Sequence, residues 1–298
     1  MTTLLIVNPT AGSGRAGRVS GEAHEAARRA WGPVDRIDTT APGDAVAIAA
    51  RAADHGAERI LVLGGDGTLH EAVNGVLKVP ADRRPPIGII PAGTGNDYAK
   101  MCGTAGHSPA RAVERLRTAA VRHYDVGEAW GEYFINSVGI GFDAEVAREV
   151  NRGKLGSGLP AYLRAVGKVL RRFEAMELEV EGDGQRFHDR LLLLEIGIGP
   201  CVGGGFRLTP GARPDDGVFD VCAIQHSSAL GVFVKLPLAI LGQHVRLRRQ
   251  VRSFQCTRLS VASMNGPLHA QFDGEIREVS GRMDLACVAA ALPVLVAA

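Results

Sequence analysis

Three glycine-rich turns are the places where this chain could hold phosphate: NPTAGSG at 8–14, GGDGT at 64–68 and PAGTGND at 91–97. Glycine lets a backbone turn sharply, take positive φ and approach a ligand closely. The N–H groups at the start of a following helix can then bind phosphate oxygens. One such turn is commonly only a tight link. Three in one chain, each carrying Asn, Asp, Ser or Thr, fit repeated polar contact with a phosphate-bearing ligand better. No GxxxxGK[ST] sequence is present, so main-chain amides and hydroxyls would take the place of a Walker lysine. Asp66, between Gly65 and Gly67, is placed to coordinate magnesium or organise a phosphate site. Alternatively it caps the helix that follows, a contribution of about 1 kcal/mol. Near the other end, FDGEI at 272–276 carries Asp273 and Glu275. A carboxylate within hydrogen-bond reach of a hydroxyl can take its proton as it attacks a phosphoryl group, whereas Asp-Gly by itself is ordinary hairpin chemistry.

These turns need a scaffold, and the pattern supplies one. Strands are predicted over 3–7, 34–38, 59–63 and 87–90, alternating with helices over 18–30, 43–55, 68–77 and 110–119. Such alternation with short glycine-bearing links predicts a parallel sheet covered by helices, whose ligands lie beyond the carboxyl ends of the strands. After Tyr124 the character changes. Strand-like runs over 130–137, 176–180, 190–198, 218–224, 253–261, 268–272 and 283–288, with helices near 159–173 and 228–241, predict a mainly antiparallel second domain. The boundary falls at 122–126, giving domains 1–124 and 125–288, with 289–298 a last strand that could return to the first. The apolar segment 229–241 fits a core-facing helix better than an entrance for acyl chains. HVRLRRQVR at 244–252 could face anionic headgroups, each cation contributing about 1 kcal/mol, but its alternation of Val245 and Leu247 with arginines fits an exposed strand better.

Composition narrows the partners. A formal charge of +2 from 34 basic and 32 acidic residues gives no electrostatic case for nucleic acid. Five dispersed cysteines without a CxxC pair suggest reduced thiols in a cytoplasmic protein, and no histidine falls in a metal-ligand pattern. MTTLLIVNPT looks like a first strand and lacks the features of a secretion signal. The apolar stretch 229–242 is broken by Lys235 and Pro237 and falls short of the roughly 20 residues that span a bilayer. A membrane-derived substrate stays open.

NPTAG, GGDGTLHEAVNG and PAGTGNDYAK, in that order, resemble the diacylglycerol kinase catalytic domain family, with its bacterial soluble lipid kinases and the related sphingosine kinases. The resemblance continues through YDVG, FINSVGIGFDAEV, GGGFRLTPGARPDDGVFDV and FDGEI, and covers nearly the whole chain. GGDGT alone is also similar to NAD kinases and phosphofructokinases. The resemblance implies an α/β first domain of NAD kinase and phosphofructokinase type, a β-sandwich second domain, and an active site in the cleft between them. It implies ATP as phosphoryl donor, Mg²⁺, and a diacylglycerol-like or sphingoid acceptor. Asn8, Pro9, Thr10, Ala11, Gly12, Thr40, Gly65, Asp66, Gly67, Thr68, Leu69, His70, Glu71 and Thr94 would line the nucleotide site. Asp66, Asp97 and Asp125 would organise water and catalytic magnesium, and Glu275, with Asp273 nearby, would be the base. Asp216, with the carbonyls of Arg213 and Val218, would form a structural magnesium loop, against the alternative of a metal-free acidic turn. Glu71 and Asn74 would belong to the helix bracing the GGDGT turn. Relatives commonly show Asn-Gly where this chain reads GIGPC at 197–201, which bears on the acceptor pocket. The family also implies a homodimer through the second domains and a cytoplasmic protein, peripheral at the inner face of the membrane. A kinase of a soluble acceptor such as NAD, and a lipid- or nucleotide-binding protein without turnover, are the rival readings.

Overall fold

The computed structural model describes residues 2–152 and 158–298. The chain divides into two compact units, Met1–Tyr124 with Ala290–Ala298, and Asp125–Ala289. The first contains β1 (Thr3–Val7), α1 (Ala11–Trp31), β2 (Val34–Asp38), α2 (Asp44–Asp54), β3 (Arg59–Gly64), α3 (Asp66–Val76), β4 (Ile87–Pro91), α4 (Asp97–Met101) and α5 (Pro109–Arg117). β4, β3, β1 and β2 lie side by side and parallel. Val294, near the chain's end, pairs with Ile87 in parallel on the other side of β4.

Both faces of this sheet are covered, so its central strands are apolar throughout. Leu5, Val7, Leu61, Leu63 and Ile90 pack with Ala16, Ala23 and Ala27 of α1 and with Ala112, Val113 and Leu116 of α5. Leu4, Ile6, Ile60 and Val62 are buried too, and strand alternation turns them to the opposite face. The edge strand β2 reads VDRID and buries only Val34, as an edge that resists further pairing should. α2 and α3 approach closely at Gly75. A side chain there would meet the Val46 carbonyl oxygen at 2.3 Å and the Ala49 Cβ at 2.8 Å.

β5 (Ala120–Ala129) leads into the second unit, followed by β6 (Glu132–Phe134), β7 (Ser137–Gly141), α6 (Phe142–Asn151), α7 (Gly158–Leu170), β8 (Met176–Gly182), β9 (Gln185–Gly197), β10 (Phe219–Gln225), α8 (Ala229–Ile240), β11 (Val251–Cys256), β12 (Arg258–Ser263), β13 (Leu268–Phe272), β14 (Glu275–Val279) and β15 (Arg282–Val296). Among the described residues the ladders that join β5 to β6, and those that link strands β7 through β15 with one another, are antiparallel. β9 is the hub: its first half pairs with β8, and its second half with both β7 and β10. Phe134, Val138, Leu178, Leu194, Phe219, Val261 and Phe272 close a core between layers of a β-sandwich.

Several elements differ from the sequence-based expectation. The strand expected over 130–137 is two strands, because Asp273 takes the N–H groups of Ile135, Asn136 and Ser137 out of any ladder. The strand expected over 253–261 breaks at Thr257, whose N–H and hydroxyl both donate to Asp183. Residues 244–252 are not a strand: His244–Arg246 is a 3₁₀ turn and pairing starts at Val251. His244 is buried there, with Nε2 3.2 Å from the Leu208 carbonyl oxygen. The helix expected to face the core over 229–241 does so on one side: Ala239 is buried and Val232, Leu236 and Ile240 pack against a core cluster, while its other side is exposed. α6 and β14 are absent from the sequence reading, and β15 is one strand over Arg282–Val296 in place of the two expected over 283–288 and 289–298.

Gly75→Ala should lower stability by about 1–3 kcal/mol through overpacking of α2 against α3. Thermal melting checks this, and an unchanged midpoint would mean the helices separate without cost.

Candidate active site

In the first unit the three glycine-rich turns meet at the carboxyl ends of β1, β3 and β4. A side chain at Gly12 would lie 2.1 Å from the Ala92 carbonyl oxygen, and one at Gly93 would lie 2.4 Å from the Gly65 Cα. The glycines therefore first make room for neighbouring turns. Gly12, Ser13 and Gly14 are all left-handed, with φ of 59°, 57° and 79°, so the regular part of α1 starts after them. Gly12, Gly14 and Gly17 do share the GxGxxG spacing, but at Gly12 it is another protein turn that fills the space. For the non-glycine Ser13 this conformation costs roughly 1–2 kcal/mol, and such cost collects at functional loops.

Polar side chains complete the joint. Asn8 donates from Nδ2 to Thr68 Oγ1 at 3.0 Å, and its Oδ1 accepts from Thr10 N–H at 3.1 Å and the Thr10 hydroxyl at 2.8 Å. Asp66 accepts from the N–H groups of Asp97 at 3.2 Å and Tyr98 at 3.1 Å, so it caps α4 rather than its own helix. Gly65, which precedes α3, brings no side-chain cap, and a helix N-terminus suits an anion. Asn96 folds back on Gly93, accepting its N–H at 3.0 Å, and Thr94 stands exposed at the tip. Asp97 is buried and pairs with Lys100 Nζ at 2.5 Å. Glu71 accepts from Gly43 and Ala45 N–H groups at the start of α2. Thr40 donates its N–H and hydroxyl to Asp44 at 2.7 Å each, and these bonds hold the Asp44 carboxyl below its usual range. Leu69 and His70 are buried in α3, so their side chains face the protein interior.

In the second unit the FDGEI segment is a two-residue hairpin. Asp273 and Gly274 have φ of 50° and 94°, and Phe272 pairs with Glu275. Asp273 accepts from Ile135, Asn136 and Ser137 N–H groups at 2.9, 2.8 and 3.0 Å. Gln271 accepts from Gly274 N–H at 2.6 Å, and Asn151 donates to the Gly274 carbonyl at 3.1 Å. The turn is thus fixed from three sides, while Glu275 is exposed at its exit. Arg277 is held at 2.6 Å from Glu132. Its guanidinium is raised above its usual value by that bond first, with a smaller contribution from Glu275.

Asp125 reaches the 213–218 loop: its N–H donates to the Pro214 carbonyl and its Oδ2 accepts from Gly217 N–H, both at 2.7 Å. Asp216 accepts from Val218 N–H at 3.3 Å. Burial, and then the negative charge of Asp216, raises the Asp220 carboxyl. Among the described residues no group of three or more His, Cys, Asp or Glu side chains is arranged to hold a metal. An oxygen set of one carboxylate and main-chain carbonyls suits a hard cation on chemical grounds.

A second polar cluster lies over Gly139. A side chain at Gly139 would meet Asp143 Oδ2 at 2.4 Å, Gln271 Nε2 at 2.9 Å and Glu195 Oε2 at 2.9 Å. Asp143 accepts from Gln271 Nε2 at 2.9 Å and from the Tyr162 hydroxyl. Glu195 is fully buried. Among the described residues neither of its oxygens has a hydrogen-bond partner in good geometry, with the Ser137 hydroxyl giving only partial relief. Burial first, then the charge of Asp143, pushes its carboxyl well above the glutamate range. Asp143 and Tyr162 also line an apolar cavity of ≈ 80 Å³ whose walls include Phe142, Val166, Leu192, Phe206, Leu236 and Ala239.

The fold and these turns have close counterparts. The diacylglycerol kinase catalytic domain matches residues 2–129, and a YegS C-terminal NAD kinase beta sandwich-like domain matches residues 136–296. The chain is 31% identical over 239 residues to a diacylglycerol kinase of Bacillus subtilis (strain 168), covering 80% of this chain and 77% of that one. The chain belongs to the diacylglycerol kinase catalytic domain family. A Staphylococcus carnosus (strain TM300) diacylglycerol kinase is 32% identical over 246 residues, covering 81% of this chain and 78% of that one. The crystal structure of a putative diacylglycerol kinase from Bacillus anthracis str. Sterne superposes with a TM-score of 0.84 at 25% identity, over 99% of this chain and 95% of that one. Yeast NADH kinase complexed with NADH gives a TM-score of 0.52 at 11% identity over 100% of this chain and 83% of that one, a likeness of fold alone.

In this member of the diacylglycerol kinase family, hydrogen bonds and close approaches tie several of the sequence-predicted residues to one another within each unit. Asn8, Gly12, Gly65, Asp66, Thr68 and Asp97 come together with the PAGTGND turn, whereas Thr40 and Glu71 bond at the start of α2. In the second unit Asp125 bonds to the loop that carries Arg213, Asp216 and Val218, and Asp273 and Glu275 sit on the 272–275 hairpin. Asp143, Tyr162, Glu195 and Gln271 are absent from the sequence reading. The available signal was Glu195 itself, a charge inside the apolar run LLLLEIGIG.

Asp273→Ala should cost about 1–3 kcal/mol, because three N–H groups lose a charged acceptor; a melting midpoint equal to wild type would exclude this bracing role. Glu195→Gln should behave oppositely. The raised carboxyl makes folding lose stability as pH rises past the ordinary glutamate range. The Gln variant should therefore be more stable than wild type at neutral pH, by about 1–3 kcal/mol, and the gain should vanish in acid. A stability difference independent of pH would overturn the buried-acid account.

Proposed function

We propose that this chain is an ATP-dependent lipid kinase that transfers the γ-phosphate to a hydroxyl of a diacylglycerol-like or sphingoid lipid. The observation that favours a lipid over a soluble acceptor is the cavity of the second unit, whose walls are mainly apolar and include the residues Asp143 and Tyr162. Relatives named diacylglycerol kinase support the same acceptor class.

Phosphoryl transfer asks a protein mainly for positioning and charge neutralisation. The start of α3 and the glycine turns would hold phosphate oxygens through main-chain N–H groups. Asp66 fixes the PAGTGND turn against GGDGT, so a shift in one turn moves the other. Mg²⁺, when bound, would neutralise phosphate charge. The residues that fit it are Asp66 and Asp97 in the first unit, and Asp216 with the Arg213 and Val218 carbonyls in the second. Glu275, exposed on a hairpin held by Asp273, Gln271 and Asn151, would accept the acceptor hydroxyl's proton as the oxygen attacks phosphorus. A rigid base held near the reacting oxygen contributes typically 10²–10⁴-fold.

Incubation of the purified chain with radiolabelled ATP, Mg²⁺ and a mixed lipid extract, with NAD in a parallel reaction, should put label in the organic phase. Glu275→Gln should reduce that label by roughly 10²–10⁴-fold and leave ATP binding and melting temperature unchanged. Label on NAD alone would replace the lipid with a soluble acceptor; full turnover in Glu275→Gln would remove Glu275 as the base.

A further inference from the structure

The sequence from 221 to 272 contains no Asp or Glu, yet it carries Lys235, Arg246, Arg248, Arg249, Arg252 and Arg258. α8 lies within this acid-free stretch. Its outward face is apolar: Leu230 is 73% exposed, Phe233 63%, Val234 67% and Leu241, just past its end, 60%, with Pro237 exposed among them. The spacing 230, 233, 234, 237, 241 is that of a single stripe on a helix. The opposite face is also apolar, with Val232, Leu236 and Ile240 packed against a core cluster that includes Ala239. A helix that is apolar all round is expected to be buried on every side, and here one side is not.

The arginine segment lies against the same helix. Lys235 Nζ is 2.5 Å from Gln250 Oε1, tying α8 to the turn, and Leu247, Gln250 and Val251 line the cavity together with Val232 and Leu236. Arg246, Arg248 and Arg249 are exposed, while Arg252 lies 4.1 Å over the Phe187 ring. With 12 residues, α8 is about 18 Å long, too short to cross a hydrocarbon core of about 30 Å. Asp189 is the acidic residue that shares a shallow pocket with Arg248, Arg249 and Arg252, and these three arginines outnumber it. An apolar stripe bordered by an excess of cations matches the boundary of an anionic membrane, where apolar side chains enter the acyl region and cations meet headgroups. We propose that the exposed stripe of α8 and the 246–249 turn form a docking face for an anionic phospholipid bilayer, with α8 lying flat in the headgroup layer. The face stands on its own residues and does not depend on the acceptor or on phosphoryl transfer.

Flotation with vesicles of phosphatidylcholine, and of phosphatidylcholine mixed with phosphatidylglycerol, tests it, without ATP or diacylglycerol. Wild type should bind the phosphatidylglycerol vesicles, and binding should weaken with added salt. Arg248→Glu with Arg249→Glu should weaken it by more than about tenfold. Phe233→Gln should weaken it by about tenfold, and Phe233→Leu by no more than about threefold. Circular dichroism should be unchanged in all three, since the substituted side chains are exposed. Equal binding to both vesicle types, or wild-type binding by the charge-reversed and Gln variants, would overturn the proposal. So would a dimer in sedimentation that Phe233→Gln dissociates while vesicle binding persists, which would make the stripe a contact between copies. Transfer to detergent-dispersed lipid, measured separately, keeps the questions apart. Lost flotation with intact transfer concerns only this face, and intact flotation without transfer concerns only the lipid-kinase reading.

Discussion

Backbone N–H groups left over where strands and helices end must find acceptors, and in this chain distant carboxylates provide them. Asp66 serves Asp97 and Tyr98, Glu71 serves Gly43 and Ala45, Asp125 serves Gly217, Asp183 serves Thr257, and Asp273 serves three consecutive residues from Ile135 to Ser137. The bonds of Asp66 and Glu71 span about 30 residues, and the others join residues 74 to 138 apart in sequence. Each replaces a local cap with a long-range one, so the loops that would carry chemistry are fixed by the fold rather than by their own sequence. A charged acceptor makes a stronger hydrogen bond than a neutral one, which suits turns that have no helix or sheet of their own.

That arrangement changes how an aspartate in a glycine turn should be weighed. Structural and chemical roles are not exclusive alternatives at Asp66. Its carboxylate already holds two N–H groups, and the same bonds set the distance between the GGDGT and PAGTGND turns. The glycines around it are required by turn-to-turn contact, as at Gly65 and Gly93, before any ligand is considered. The hairpin at 272–276 divides the roles between neighbours: Asp273 is committed to the backbone, and that commitment leaves Glu275 as the exposed carboxylate of the pair.

The parallel sheet was legible in the sequence because its strands are buried on both faces and read as continuous apolar runs between glycine turns. Most sandwich strands were legible as types but not in extent, and β5 and β14 were not legible at all. What ends β6 is Asp273, more than a hundred residues away, and what ends β11 is Asp183; neither leaves a mark in the local pattern. The site turns were legible for the same reason as the sheet, since left-handed backbone and close approach demand glycine. Their pairing was not, because which turn fills which glycine's space is a property of the packed structure. Glu195 shows the reverse case: a single charge in an apolar run was visible, but its meaning required Gly139, Asp143 and Gln271 to be brought beside it.

α8 marks where hydrophobicity alone stops being informative. Its composition permits burial, and periodicity cannot assign a direction when both faces are apolar. The inner face is explained by the cavity it covers and the cluster it joins. The outer face is accounted for only by its surroundings, namely the lack of acidic residues over 221–272 and the arginines of the adjoining turn. A core helix would have no need of that charge pattern, because neighbours buried against it would be apolar as well. The segregation of an apolar stripe from flanking cations that outnumber the neighbouring Asp189 therefore belongs to a surface suited to an apolar medium with a negative boundary, and one helix joins that surface to the apolar cavity beneath it.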